Sequence, residues 1–197
     1  MNRSDLPPSV HVLGFAGSLR SGSYNRATLR AAAGLLPDGM TLEIFDRIGE
    51  IPLYNGDVEA QGEVPEPVLA FKERITAADA LLIATPEYNH SVPGVLKNAI
   101  DWASRPARTS PLDGKPLAIL GATTGMAGTA RAQIALRQVC VFTNMHPLNK
   151  PEVLIARAAE KFDAEGRLHD EPTRERIAAL LVALRDWALR VRVRVPG

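Results

Sequence analysis

Three runs of almost purely apolar residues limit what this chain can fold into more than any other feature. They are Val10–Ala16 (VHVLGFA), Ala80–Thr85 (ALLIAT) and Pro116–Ala122 (PLAILGA). Runs of this length that are apolar at nearly every position are typical of strands buried on both faces of a parallel sheet. A polar loop follows each run, and a segment with helical spacing of apolar residues follows each loop, as in Asn25–Leu36. This alternation predicts an α/β fold in which right-handed crossovers place helices on both faces of a parallel sheet.

Weaker patterns complete the predicted order of strands and helices. We expect two further strands, at Thr41–Phe45 and Glu152–Ile155. The further predicted helices lie over Val68–Ala78, from Pro93 to Ala103, from Thr129 to about Val141, and along the apolar series Ile177, Leu180, Leu181, Leu184, Ala188 and Val191. The stretch Asn55–Pro67 holds Gly, Glu and Pro and predicts an exposed loop. Since 197 residues suit one domain, we expect residues 10–197 to form it, after a disordered lead-in over residues 1–9.

Composition and charge argue against several classes of function. The formal net charge of +1 provides no broad field for nucleic acid or for an anionic membrane. The longest purely apolar run, Ile177–Leu184, is far shorter than the ~20 residues of a membrane span. With scattered histidines and a single cysteine, Cys140, we expect no bound metal and no internal disulfide. A free thiol suits the reducing cytoplasm, and its apolar neighbours predict that it is buried.

The loop Gly17–Asn25 (GSLRSGSYN) joins the first predicted strand to the first predicted helix. The N-terminus of a helix has unpaired N–H groups and partial positive charge. Hydroxyl groups, the Arg20 guanidinium and the Asn25 amide add further donors, so the loop suits a phosphate. It is not a Walker A loop, because Ser23 stands where the lysine belongs, and it lacks the Gly-x-Gly-x-x-Gly fingerprint of dinucleotide-binding folds. An ordinary serine-capped helix is the alternative that this loop alone leaves open.

Two other polar loops are expected at the same edge of the sheet. They are Pro86–Ser91 (PEYNHS) and Thr123–Gly128 (TTGMAG), each directly after a buried strand. Ligands of open parallel sheets bind beyond the carboxyl ends of the strands, where these loops would meet. Tyr88 and Asn89 offer an aromatic ring and polar groups, and Gly125 permits close approach of a flat ring. FMN, a mononucleotide with one phosphate and a large flat ring, fits this description, although spacing alone does not distinguish it from other phosphorylated ligands.

Four blocks of the sequence together resemble one known family. They are Gly17–Asn25, Leu53–Asp57 (LYNGD), Pro86–Arg105 (PEYNHSVPGVLKNAIDWASR) and Phe162–Leu168 (FDAEGRL). The chain resembles the NADPH-dependent FMN reductase family over almost its whole length, and within it the chromate- and quinone-reducing flavoproteins. The resemblance implies a flavodoxin-like three-layer sandwich whose five-stranded parallel sheet has the order 2-1-3-4-5. It also implies bound FMN and assembly into homodimers or homotetramers.

The resemblance and the loops together give the expected cofactor-binding residues. These are Ser18, Arg20, Ser23, Tyr24 and Asn25 for the phosphate loop, Pro86, Glu87, Tyr88 and Asn89 for the second loop, and Thr123, Thr124 and Gly125 for the third. Relatives often carry Ser-Pro-Gly in the third loop and arginine in place of His90. Contacts of His90 with substrate or with another subunit are therefore not carried over, and a solvated loop residue is the alternative.

The resemblance implies an FMN-dependent NAD(P)H oxidoreductase that reduces quinones, free flavin, chromate or azo compounds. A reduced nicotinamide would pass hydride to FMN and leave, and an acceptor would then take the electrons, so no side chain is assigned as catalytic. Whether NADPH or NADH is preferred stays open. One alternative is a non-enzymatic electron carrier of flavodoxin type, although such carriers are strongly acidic and this chain is not. Another is a phosphate-ester-binding module or hydrolase, for which no nucleophile with a base or metal is evident.

Overall fold

A computed structural model describes residues 9–192, without the side chain of Arg192. The strands are β1 (Val10–Ala16), β2 (Met40–Ile44), β3 (Ala80–Ala84), β4 (Pro116–Ala122), β5 (His146–Pro147) and β6 (Val153–Ile155). The helices are α1 (Tyr24–Ala33), α2 (Gly56–Ala60), α3 (Glu66–Ala77), α4 (Gly94–Ala103), α5 (Ala130–Thr143) and α6 (Glu171–Arg192). Short 3-10 turns lie at Arg47–Glu50, Ala107–Thr109 and Ala158–Glu160. Apart from Ser9, the expected disordered lead-in lies outside the described residues.

All strand pairs in the sheet are parallel, and the strand order is β2-β1-β3-β4-β5, which confirms the predicted topology. The outer position next to β4 is shared by two short strands. β5 pairs with the start of β4 at Pro116 and Leu117, and β6 pairs with its end over Leu120–Ala122. The prediction of a single strand at Glu152–Ile155 was therefore incomplete. A two-residue strand such as β5 is too short to carry a recognisable pattern of apolar residues.

Two hydrophobic cores lie on opposite faces of the sheet. Alternate residues of β1, β3 and β4 face the layer of α1 and α6, and most of them are alanine or valine: Val10, Val12, Ala16, Ala80, Leu82, Ala84, Ala118, Leu120 and Ala122. The intervening residues face the layer of α3, α4 and α5, and they are larger: Leu13, Phe15, Leu81, Ile83, Leu117 and Ile119. The alanines on the first face allow the Ala-rich helix α1 to pack close to the sheet.

The predicted loop Asn55–Pro67 is partly helical. Helix α2 forms within it because the Asn55 side chain accepts a hydrogen bond from the Asp57 N–H at 2.9 Å and so caps the helix. Helix α3 begins at Glu66, two residues before the predicted start at Val68, with a proline in its first turn. Capping by the Asn55 side chain thus places the short helix α2 in a stretch that lacks apolar periodicity.

Cys140 is buried in α5, as predicted, and its thiol donates to the Leu136 carbonyl oxygen at 3.2 Å. Burial raises the pKa of this thiol to about 11, which keeps it protonated at neutral pH and disfavours thiolate chemistry. Within residues 9–192 no helix is both long and apolar enough to cross a bilayer.

Candidate functional site

A cleft of about 170 Å³ opens at the carboxyl edge of the sheet, where the first, second and third polar loops meet. Its lining consists of Ser18, Arg20, Ser23, Tyr24, Asn25, Pro86, Glu87, Tyr88, Ala122, Thr123 and Thr124. Ten of these eleven are residues expected at the site from the sequence. Asn89 and Gly125 were also expected but do not line the cleft, whereas Ala122 lines it and was not expected. Ala122 is the last residue of β4, and its position at the strand end is the one sequence feature from which its place in the lining could have been predicted.

The first loop brings positive charge and donors to the cleft. Ser23 caps α1, since its hydroxyl accepts from the Arg26 N–H at 3.4 Å, and both Ser18 and Ser23 are buried. The first turn of α1 contains no acidic residue, so its positive end is not neutralised locally. The exposed Arg20 forms no ion pair among residues 9–192. Its guanidinium, the helix terminus and the hydroxyls together suit an anion.

Asn25 occupies the expected position, but its side chain binds protein groups. Its Nδ2 donates to the Ala122 carbonyl oxygen at 2.9 Å, and its Oδ1 accepts from the Ala122 N–H at 2.9 Å. The side chain is buried, and the two residues are 97 positions apart. The amide therefore ties the first loop to the start of the third.

The second loop reverses direction directly after Tyr88. Tyr88 and Ser91 form an antiparallel bridge, with N–H to oxygen distances of 3.2 and 3.0 Å. Between them, Asn89 and His90 have φ of 50° and 62°, the left-handed pair of a type I′ turn. Asn89 and His90 are exposed at the tip of this turn, outside the cleft, and Tyr88 at its base is 48 % exposed. The structure thus leaves an aromatic side chain accessible beside the cleft.

Glu87 links the second loop to the N-terminus of α5. Its carboxylate accepts from the N–H groups of Arg131 and Ala132 at 2.9 and 3.3 Å, and from the Arg131 guanidinium at 3.1 Å. Thr129, which precedes α5, has φ of 68° and caps no helical N–H with its side chain, so Glu87 does this instead. Burial acts to raise the pKa of the Glu87 carboxyl, but the hydrogen bonds from Ala132 and Arg131 outweigh it and the pKa lies below its usual value.

We expect Glu87→Gln to lower the free energy of unfolding at pH 7 by about 1–2 kcal/mol, because a charge-assisted cap of α5 is lost. Since the folded-state pKa is depressed, this stabilisation is present above the unfolded pKa of about 4.3 and is lost as pH falls through the folded-state value. Denaturant unfolding of parent and variant at several pH values measures the difference. It should shrink on acidification, and Glu63→Gln at an exposed position is the control. A pH-independent difference would contradict the role of charge.

The third loop is held by the segment after β6. The Thr123 N–H donates to the Ile155 carbonyl at 2.9 Å, and the N–H groups of Ala158 and Arg157 donate to the carbonyls of Thr123 and Gly125 at 2.9 and 3.0 Å. Apart from Thr123 Oγ1 at 3.8 Å, no atom lies within 4 Å of where a Cβ of Gly125 would be. The main chain of the loop is thus fixed on one side and uncovered at Gly125.

The LYNGD and PEYN…LKNAIDW blocks form one structural unit. The Asn98 side chain accepts from the Tyr54 N–H at 2.8 Å and donates to the Pro52 carbonyl at 2.9 Å. The buried Trp102 indole donates to the same carbonyl at 2.9 Å. These bonds attach the segment after β2 to α4, and none of these residues lines the cleft.

The comparisons with known proteins agree with this geometry. The sequence profile of the family described as NADPH-dependent FMN reductase matches residues 10–160. The chain is 60 % identical to an NAD(P)H-dependent FMN reductase of Pseudomonas aeruginosa over 95 % of this chain and 100 % of that protein. It is 44 % identical to an NAD(P)H:quinone oxidoreductase of Solanum tuberosum, with 94 % and 96 % covered.

Among solved structures, the fold matches the flavoenzyme FerB, an NAD(P)H:(acceptor) oxidoreductase of Paracoccus denitrificans. The TM-score is 0.83 at 36 % sequence identity, and the match covers 92 % of this chain and 98 % of that one.

Proposed function

The chain belongs to the NADPH-dependent FMN reductase family, and from this membership we propose that it is an FMN-dependent NAD(P)H oxidoreductase that reduces quinones. Relatives that match nearly the whole chain are named as reductases of FMN or of quinones. This favours an enzyme over the alternative of a flavodoxin-type electron carrier.

One observation of the structure supports the proposal most strongly: three separate loops contribute to a single cleft with the donors of a phosphate site. One terminal phosphate suits the N-terminus of α1, the hydroxyls of Ser18 and Ser23, and Arg20, which has no ion pair within the described part of the chain. The cleft volume of about 170 Å³ suits a phosphate and adjoining atoms better than a whole flavin. The exposed Tyr88 and the uncovered main chain at Gly125 offer surfaces for a flat ring. The residues present therefore fit FMN.

FMN held in the cleft would supply the redox chemistry, which is transfer of hydride from a nicotinamide and of electrons to an acceptor. The chain's own residues bind and orient. Ser18, Arg20 and Ser23 hold the phosphate together with the N-terminus of α1. Among the described residues, Glu87 is the only carboxylate that lines the cleft, and its carboxylate oxygens accept hydrogen bonds from the N-terminus of α5. We therefore assign no side chain as a general acid or base.

Quinones are the acceptor class that we propose, because a flat conjugated acceptor suits an accessible site beside Tyr88. Free flavin is a second candidate, supported by the name of the Pseudomonas aeruginosa relative. Chromate and azo compounds stay predictions from the resemblance of the sequence.

The test is an anaerobic stopped-flow titration of the FMN-loaded protein with NADPH and with NADH, followed at the flavin absorbance. We expect at least one nicotinamide to bleach the flavin, and benzoquinone to restore its colour. Oxidised flavin that responds to neither nicotinamide would instead favour the electron carrier. A protein without affinity for FMN would overturn the proposal.

We also propose that the protein is a homodimer or homotetramer with α5 in the interface. Ile134, Val141 and Phe142 lie on one face of α5 and are 67 %, 81 % and 79 % exposed. Large apolar side chains grouped on a helix surface are typical of association surfaces. The family resemblance supports the same assembly states.

Phe142→Ser is expected to shift the protein towards the monomer, because a large aromatic group in a protein interface often contributes 2 kcal/mol or more to binding (roughly a thirtyfold change in affinity). Sedimentation velocity over a range of concentrations measures the shift. Leu69→Ser, at a 54 % exposed apolar position on α3, is the control. An unchanged assembly state in the Phe142 variant would contradict the assignment of this face.

A further inference from the structure

Asn25 lies where β3 and β4 separate. The last register pair between these strands is Ala84 with Leu120, and the Thr85 N–H still donates to the Leu120 carbonyl at 2.9 Å. The chain then turns away at Pro86, so β4 extends beyond its neighbour by two residues. Groups of β4 that face this gap have no strand to pair with.

The main-chain groups that lack a partner strand on that side belong to Ala122. In a parallel strand the N–H and C=O of one residue point to the same neighbour, and alternate residues point to the same side. Leu120 bonds towards β3 and Thr123 bonds towards β6, so the N–H and C=O of Ala122 point into the gap. Both are bound there by the Asn25 carboxamide, at 2.9 Å each. The carboxamide therefore takes the place of the missing strand.

We propose that Asn25 is a positioning residue that sets the third loop relative to the phosphate loop, and that its side chain is not a ligand of the phosphate. The third loop starts at Thr123, directly after Ala122, so a displacement of Ala122 moves Thr123 and Thr124. The Oδ1 and one Nδ2 hydrogen of Asn25 are already used, and the side chain is only 3 % exposed. The inference rests on the proposed function, since it assumes that flavin occupies the cleft.

The inference predicts that Asn25 affects the affinity for the part of the flavin that touches the third loop. If the Asn25 side chain bound the phosphate, its loss would weaken FMN binding but not the binding of riboflavin, which lacks the phosphate. If Asn25 positions the third loop, its loss weakens the binding of both. The ratio of the two affinities therefore separates the two roles.

The experiment titrates apo-protein with FMN and with riboflavin by flavin fluorescence, for the parent, Asn25→Ala and Arg20→Ala. We expect Asn25→Ala to weaken both ligands by a similar factor of about ten, because two buried main-chain groups lose their partner. We expect Arg20→Ala to weaken FMN alone. Hydrogen–deuterium exchange of apo-protein, which needs no flavin, should show faster exchange over residues 122–129 in the Asn25 variant.

If Asn25→Ala does not fold, the experiment uses Asn25→Ser, which is a smaller perturbation. Ile177→Val, a mild change in the core beneath α6, should lower stability and leave both affinities unchanged. Loss of FMN affinity alone in the Asn25 variant would overturn the inference, as would unchanged exchange over residues 122–129. Failure of the parent to bind either flavin would instead refute the proposed function.

Discussion

Gly121→Ala is expected to destabilise the fold by about 3 kcal/mol and to weaken FMN binding together with it. A Cβ at this position would overlap the Thr129 hydroxyl oxygen and the Thr85 carbonyl oxygen. Both neighbours are fully buried, so neither can turn aside into solvent. Thr85 precedes the second loop and Thr129 directly follows the third, so the added methyl group would push the two loops apart. The effect on the cleft follows because those loops form two of its three walls.

Thermal unfolding and an FMN titration measure the two effects of Gly121→Ala. For a chain of this size, 3 kcal/mol corresponds to a fall in Tm of roughly 6–12 °C. Gly94→Ala is the matched control, because Gly94 begins α4, has no atom within 4 Å of an added Cβ and tolerates alanine there. A Gly121 variant with the parent's Tm and FMN affinity would show that the loops can move apart freely.

Elements that are buried on both faces were predictable from the sequence. The observed β1 and β4 have the predicted bounds, Val10–Ala16 and Pro116–Ala122, because full burial requires an apolar residue at nearly every position. The predicted carboxyl ends of these strands also indicated where the polar loops and the cleft lie, because the carboxyl ends of parallel strands lie at one edge of the sheet.

The roles of individual side chains in the cleft were not predictable in the same way. Asn25 and Glu87 are polar residues in site loops, and nothing local distinguishes a ligand donor from an internal bond. Their partners lie 97 and 44 residues away, and only the folded chain brings them together. The turn at Asn89 and His90 was also hidden, because type I′ turns are usually signalled by glycine and none is present here.

These internal bonds explain how three loops can form one rigid site. Asn25 joins the first loop to the third, and Glu87 joins the second loop to the helix that follows the third. Polar groups that sequence reasoning assigned to the ligand are thereby used within the protein. The groups that we propose to hold the phosphate are therefore the helix N–H groups, the hydroxyls of Ser18 and Ser23, and Arg20.

Arg20→Ala is accordingly expected to weaken FMN binding by about ten- to a hundredfold, because a charge-assisted bond to a phosphate contributes about 1.5–3 kcal/mol. Arg20 lines the cleft and forms no ion pair among residues 9–192, so its removal leaves no carboxylate unpaired. Fluorescence titration of apo-protein measures the affinity, and stopped-flow bleaching by nicotinamide measures the rate in the flavin-loaded fraction. That rate should change much less than the affinity, because we propose that Arg20 binds the phosphate and not the reacting ring.

Two further variants separate the contribution of Arg20 from general charge effects. Arg20→Lys keeps the charge but loses the planar pair of donors, so its affinity should fall between those of the parent and Arg20→Ala. Arg26→Ala removes a cation from the same helix end, but one that pairs with Asp46 at 3.2 Å and does not line the cleft. It should leave FMN affinity within about twofold of the parent, because an exposed ion pair contributes little. Equal FMN affinity in Arg20→Ala and the parent would mean that the helix terminus and the two serines hold the phosphate without Arg20.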